Sequence, residues 1–347
     1  MTIRDVAELA GVSIATVSHS LSGNRPVSPE TSARVLAAVE QLGYRPNRVA
    51  ASMVTRRTHT IALVVPDIAN PFFASLVKAV ESAAIERGYT TVACSSDANS
   101  DLEERYLDLL LDEQVDALIY DGDHDRFGSR LERLAERGTA IVVVDRAEGV
   151  REAFASVVVD NSAGGTLVAQ HLIDLGHRHV AMVAGPRGLS TSGPRVDGFC
   201  STLKSCGIRI GEHTVCRAQD LTLEAGVHAV EHLLAVDPTI TAIFCENDLV
   251  ALGSIRVARQ RGLDVPGDIS IVGFDDIFVS SLVSPALTTV RQPVGELGAS
   301  AVDIALQLME DKPPTRTVLP VELVFRESSG PPKVTPRKGR RQAKSRE

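Results

Sequence analysis

Residues 10–23 read AGVSIATVSHSLSG, a stretch where Ser and Thr make up almost half of what reads as a short helix. Ser and Thr are middling helix formers, but Ser13 is a good N-cap. Just upstream, Thr2 starts an earlier helix with Asp5 in its first turn, and Val6, Leu9 and Ala10 share one side of it. Gly11 ends that helix, as Gly does at C′. A third helix begins at Ser28-Pro29-Glu30, carries an apolar stripe of Val35, Leu36, Val39 and Leu42, and stops at Gly43. Two short helices joined by a tight Gly-containing turn predict a helix-turn-helix. On a wheel of 100° per residue, Thr16, Val17, Ser20 and Leu21 share one side of the second helix. Ile14, Ala15, Ser18 and His19 share the other, with no acidic chain among them. The first side suits packing on its neighbours. The second suits a DNA major groove, where Ile14 can meet an apolar base edge such as a thymine methyl. A small helical cap on a larger domain is the plainer alternative.

Charge supports the first alternative. The 347-residue chain has a formal net charge of −8. Residues 1–60 nonetheless hold seven Arg against Asp5, Glu8, Glu30 and Glu40, and residues 331–347 hold seven Lys or Arg against Glu347. A basic head on an acidic body predicts that only the head meets a polyanion. Cys94, Cys200, Cys206, Cys216 and Cys245 form no CxxC pair, which argues for free thiols in a reducing compartment. Arg4, Asp5 and Glu8 stand where a signal peptide needs an apolar run, and no run approaches the ~18 residues of a membrane span. The expected location is the cytoplasm, with no membrane partner.

Between head and body lies YRPNRVAASMVTRRTHT. Pro46 keeps the chain before it from staying helical, and Asn47 is a fitting N-cap for one short helix, Arg48 to Val54. Seven residues are too few for a stable isolated helix, so Val49, Ala50 and Met53 need a partner. A conditional helix here would be a switch element; a plain linker is the alternative.

From residue 60 the chain alternates apolar runs with helical stretches. The runs are Ile61–Val65, Thr91–Ala93, Ala117–Tyr120, Ile141–Val144, Val157–Val159, Val180–Val183, Ala242–Phe244 and Ile269–Val272, separated by stretches such as Ser75–Arg87, Leu102–Leu111, Ala163–Leu175 and Leu249–Arg261. Such alternation predicts doubly wound parallel sheets, and the length suits two similar lobes. Ligands of open α/β sheets sit beyond the carboxyl ends of the strands. Following the runs are Asp67 and Asn70-Pro71-Phe72-Phe73, Asp121, Asp145-Arg146, AGPRGLSTSGPR ending at Arg195, Asn247-Asp248, and Asp275. Carboxylates, an amide, two Arg and an aromatic pair can bind vicinal hydroxyls and cover a sugar ring. Any one of them alone could be a loop cap.

The head segments TIRDVAELAGVSIATVSHSLSG and VSPETSARVLAAVEQLGYRPNRVAASM resemble the headpiece of the lactose/galactose repressor family. NPFF, VDRA, DNSAGGTLVAQHLIDLGHRHVAMVAGP, CENDLVALG, ISIVGFDD and SPALTTVRQP are similar to the periplasmic-binding-protein-like core of the same regulators, to about residue 327. The resemblance implies that Ile14, Ala15 and His19 read bases and that Ser13, Thr16, Asn24 and Arg25 touch backbone or flanking positions. With Thr2, Ser18, Asn47, Ala50 and Met53 these form the expected DNA-binding set. In the family a hinge helix orders on operator DNA and wedges its minor groove, usually with a Leu where this chain has Met53; Met can serve. The resemblance further implies an effector cleft lined by Phe72, Asp121, Arg146, Arg195, Asn247, Asp248 and Asp275, with crossovers between lobes near Asp160, Arg291 and Leu319.

The expected organisation is a helix-turn-helix headpiece over 1–46, a hinge helix and linker over 47–59, and an effector-binding and dimerisation core over 60–330. Lobe 1 takes about 60–159 and 291–319, lobe 2 about 160–290 and 320–330. The tail, 331–347, is Pro-rich then basic and is expected to be disordered. It lacks leucine heptads for a tetramer, so a homodimer is expected. The function expected is a ligand-responsive repressor on operator DNA, with a sugar or sugar derivative as effector, no cofactor and no metal. A purine is the alternative effector. Rival classes are weaker. His177-Arg178-His179 has no third metal ligand at sensible spacing, and GPRGLSTSG is neither a dinucleotide fingerprint nor a Walker loop. Cys245 has no nearby His to activate it, so no enzyme is expected. A sugar-binding transport-type protein would need an export signal where this chain has its helix-turn-helix.

Overall fold

A computed structural model describes residues 1–22, 25–44, 57–146, 150–211 and 215–333, with the Ser22 side chain excepted. The chain divides into two compact units, Met1–Thr58 and His59–Glu347.

The first unit packs α1 (Ile3–Ala10), α2 (Ile14–Ser22) and α3 (Pro29–Leu42) around Val6, Ala10, Val17, Val35 and Ala38. A capping box closes the start of α1: Asp5 N donates to Thr2 Oγ1 and Thr2 N to Asp5 Oδ2. Gly11 and Gly43 end α1 and α3 with φ of 65° and 58°, a region where a Cβ is strained. Two expectations fail: Leu9 is 46% exposed on α1, and Leu36 is 54% exposed on α3, where Ala38 takes its place inside. At 100° per residue Leu36 is turned off the stripe that Val35, Ala38, Val39 and Leu42 share.

The second unit contains two six-stranded sheets. The first has the order β11-β5-β4-β3-β1-β2 and the second β12-β10-β9-β8-β6-β7. Strands β1 (Thr60–Val65), β2 (Thr90–Ser95), β3 (Ala117–Tyr120), β4 (Ala140–Val144), β5 (Ala155–Val159) and β11 (Arg316–Leu319) are all parallel. In the second sheet β6 (Val180–Ala184), β7 (Val215–Arg217), β8 (Ala242–Cys245), β9 (Ser270–Asp275) and β10 (Thr288–Arg291) are parallel, and β12 (Glu322–Val324) closes the edge antiparallel. Three passages join the sheets, at Asp160 after β5, after Arg291, and between Leu319 and Glu322.

Helices cover both faces of each sheet, which is why the central strands are apolar throughout rather than alternating. In β1, Ile61, Leu63 and Val65 face one core while Ala62 and Val64 face another. The first is sealed by α4 (Pro71–Glu86) and α11 (Val294–Leu308), the second by α5 (Ser100–Glu113) and α6 (His124–Glu136). Each fully buried aliphatic or aromatic chain contributes ~1.5–3 kcal/mol. The second sheet is covered by α7 (Asn161–Asp174) and α8 (Ser192–Ser205) on one face, and by α9 (Leu223–Val236) and α10 (Asp248–Gln260) on the other. Helices α7 and α8 approach so closely that a Cβ on Gly165 would stand 2.2 Å from Arg195 O, and one on Gly198 2.1 Å from Ser162 O. Bare glycine thus sets the position of α8, and with it Arg195. Lobe 1 is further tied to lobe 2 by Ile277, Leu249, Leu252 and Val279, which pack with the Phe72 core.

Candidate DNA-reading face and effector cleft

In the headpiece, Ser13 Oγ accepts Thr16 N at 3.1 Å and lies 2.9 Å from Thr16 Oγ1, so both hydroxyls help start α2. Val17 is fully buried, and Ser20 Oγ meets Ser32 Oγ of α3 at 3.1 Å. That fixes the rotation of α2 and turns Ile14, Ala15 and Ser18 outward, with His19 half-buried. Ile14 is 42% exposed, a large apolar chain with no core to join. Arg25 is exposed, and the Thr2 hydroxyl is engaged in its capping box. Asn24, Asn47, Ala50 and Met53 lie outside the described residues.

In the core, a cavity of about 570 Å³ opens where the two sheets present the carboxyl ends of their strands. Lobe 1 contributes Asp67, Asn70, Phe73, Asp97, Asp123, His124, Asp125 and Arg146; lobe 2 contributes Pro186, Leu189, Ser190, Gln219, Asp220, Leu221 and Thr222. Of the residues expected in the cleft, Arg146 lines this cavity directly. Its Nε stands 3.3 Å from Asp121 Oδ1, at the end of β3. Asp121 is 1% exposed, and neither of its oxygens accepts a hydrogen bond. Asn247 adjoins the cavity, giving Nδ2 to Leu221 O while Oδ1 accepts Val250 N at the start of α10.

Arg195 is buried near the start of α8. Its Nε donates to Asn161 Oδ1 and its Nη1 to Glu246 O, both at 2.8 Å, and its guanidinium lies 3.6 Å from the Phe274 ring centre. Glu246 Oε1 is 3.5 Å from the same Nη1, while its Oε2 accepts Gly185 N and Ser192 Oγ. Asp275 has φ of 119° and accepts Gln292 Nε2 at 2.8 Å. Burial pushes Asp121, Asp145, Glu246 and Asp275 above the usual carboxylate range. Repulsion from Asp145 adds to this at Asp121, whereas Arg195 works against it at Asp145, Glu246 and Asp275.

Two expectations are corrected by the geometry. Phe72 is 3% exposed inside the lobe 1 core, whereas its neighbour Phe73, 5% exposed in the same core, also reaches the cavity wall. Successive side chains at a helix start point about 100° apart, so only one of the pair faces the opening. Asp248 faces inward: Oδ2 accepts Ile277 N and Ser280 Oγ at 2.9 and 2.6 Å, and Oδ1 accepts Thr289 Oγ1. It binds three segments of lobe 2 together rather than facing a ligand. Sequence reading passed over Glu246, Asp97, Asp123, His124, Asp125, Gln219, Asp220 and Thr222. Asp97 and Asp123 follow strand ends and could have been found there; Asp220 follows β7, whose three residues give no apolar run.

Two rival chemistries meet engaged atoms. His177 uses both ring nitrogens, on Thr241 Oγ1 and Gly330 O. Burial pushes the Cys245 thiol up to about 12.

Residues 2–47 match the model of the bacterial regulatory proteins of the lacI family, and residues 58–327 match that of the periplasmic binding proteins and sugar-binding domain of the LacI family. The chain belongs to the LacI family. The HTH-type transcriptional repressor PurR of Aliivibrio salmonicida is 36% identical over 94% of this chain and 98% of its own. A transcriptional regulator CelR–cellobiose complex is 34% identical with a TM-score of 0.72, covering 95% of this chain and 100% of the other. The lac repressor dimer bound to operator and the anti-inducer ONPF is 29% identical with a TM-score of 0.83, over 95% and 99%. This LacI-family chain is therefore a DNA-binding transcriptional regulator. No helix among its described residues is long and apolar enough to cross a membrane.

Proposed function

We propose that this LacI-family regulator is a cytoplasmic repressor without enzymatic activity, that it reads its operator with Ile14, Ala15, Ser18 and His19, and that a sugar or sugar derivative in the cleft sets its operator affinity. Ser13, Thr16, Asn24 and Arg25 hold the headpiece on the DNA backbone, and Asn47, Ala50 and Met53 act at the hinge. Within the core, Arg146, Arg195, Asn247, Asp121 and Asp275 serve the effector, with Phe73 as the stacking face. The observation that carries this reading is the density of buried polar atoms around one cavity shared by both lobes. A hydroxyl-rich ligand can pair with them, whereas an apolar ligand would leave them unpaired at ~1–3 kcal/mol each. The cellobiose complex of a 34%-identical relative is in keeping with a sugar. A purine is the second reading, favoured by Phe73 in the cavity wall, whose ring can stack on a flat nucleobase.

Calorimetry with a panel of sugars and nucleobases separates the two, with each hit retested for its effect on operator binding. The expected result is a sugar that binds and shifts operator affinity, and whose binding weakens about tenfold in Asp275→Asn, as for one lost charged hydrogen bond. A nucleobase that binds and switches operator affinity while all sugars are silent would overturn it.

A further inference from the structure

Carboxylates gather on two levels, one buried behind the cavity wall and one on it. At the inner level, Asp121, Asp145, Glu246 and Asp275 face Arg146 and Arg195, and Arg217 adds a third cation toward Glu246. Among the described residues, both oxygens of Asp121, Oδ1 of Asp145 and Oε1 of Glu246 are buried and accept no hydrogen bond. All three residues are more than nine-tenths buried, so water does not serve these atoms freely. Asp121 directly precedes Gly122 and faces Arg146, both of which line the cavity.

At the outer level, Asp67, Asp97, Asp123, Asp125 and Asp220 line the cavity from both lobes. Four of them have an ordinary structural reason to be there. Asp67 Oδ1 accepts Ala69 N, Asp97 Oδ1 accepts Ser95 Oγ, Asp123 Oδ1 caps α6 through Arg126 N, and Asp220 Oδ1 accepts Thr222 N and Oγ1. In each case only Oδ1 is used, and Oδ2 makes no hydrogen bond among the described residues. The turn chemistry thus accounts for one oxygen per carboxylate and leaves the other without a protein partner among the described residues. Arg146 and His124 are the basic side chains among the described lining residues.

A neutral polyol can pair with these acceptors one hydroxyl at a time, but it leaves the charge excess in place. An anionic ligand adds to it. A cation both donates several hydrogen bonds to carboxylates and cancels charge, which makes such bonds shorter and stronger than neutral ones. We propose that the effector carries a protonated amine on a hydroxyl-rich frame, as an amino sugar does, and that the cleft rejects phosphorylated and acidic sugars. The inference rests on the reading of the cavity as a polyol site and narrows its ligand class.

The test is calorimetry on the full-length protein at neutral pH with matched probes. Each set holds a sugar, its amino form and its N-acetylamino form, in gluco, galacto and manno series and as one- and two-ring compounds, with glucosamine 6-phosphate and free nucleobases alongside. In at least one set the amino form is expected to bind tenfold or more tighter than both neutral forms. The advantage is expected to shrink at least threefold in Asp97→Asn/Asp125→Asn, and to vanish as pH rises past the amine's own pKa. Neutral forms that match or exceed the amino form, or tightest binding by the phosphate, would overturn the inference and leave the polyol reading standing. Binding by nucleobases alone, or silence of every sugar in the panel, would overturn both.

Discussion

Asp248 shows how position along a sequence and role in a site can part company. It follows β8, where a ligand group belongs, yet its carboxylate accepts Ile277 N, Ser280 Oγ and Thr289 Oγ1 inside lobe 2. Burial dominates its titration and pushes it from the ordinary 3.8 up to about 7, against the pull of those three donors. The native state therefore holds this proton more tightly than the unfolded chain. Its stabilising effect is full below pH 3.8 and is lost as pH rises through about 7. Urea unfolding across that window should show wild type losing stability relative to Asp248→Asn; a difference that stays flat from pH 4 to 7 would contradict the raised value. Phe72 and Phe73 teach the same lesson. The sequence announces an aromatic pair after a strand, and both rings are buried, but which of them also reaches the cavity depends on the turn of α4. Strand ends were legible as a rim; the direction of each side chain on that rim was decided by packing that no local pattern records.

Elements were more legible than residues, because each obeys a local rule. The long central strands stand out as apolar runs because helices bury both their faces. The strands β7, β10, β11 and β12 are three or four residues each, and β11 alternates exposed with half-buried positions, so none presents a run. Helix α2 was legible from its wheel alone, and Val17 fixes its inner side. Its outer side leads to a prediction. Ile14→Ala should weaken operator binding by roughly 1–3 kcal/mol and relax preference at one base pair per half-site, with nonspecific DNA affinity unchanged. Equal loss on all DNA sequences in an anisotropy titration would show that Ile14 does not read a base. The crossing of α7 and α8 leads to another. A Cβ on Gly165 runs into the backbone of Arg195 and Phe199, which no rotamer can relieve. Gly165→Ala should cost ~1–3 kcal/mol of stability, and effector affinity should fall with it because α8 carries Arg195. Full effector affinity in a destabilised variant would mean that Arg195 lies off the binding path.

Across the whole molecule, one charge pattern serves two partners. The basic head suits a polyanion and the acidic core does not, so the operator is expected to be held at the head. The effector reaches the core, where Arg146 belongs to lobe 1 and Arg195 to lobe 2. A ligand that bridges them changes the balance between arrangements of the lobes only by its differential affinity for each. Such coupling is typically ~1–3 kcal/mol, or roughly 5–150-fold in affinity, and it is reciprocal. The most direct test is therefore a paired titration with one confirmed effector: operator affinity at rising effector, and effector affinity with and without saturating operator. Both are expected to change by the same factor, within that range. An effector that binds the cleft in calorimetry yet leaves operator affinity unmoved would contradict it.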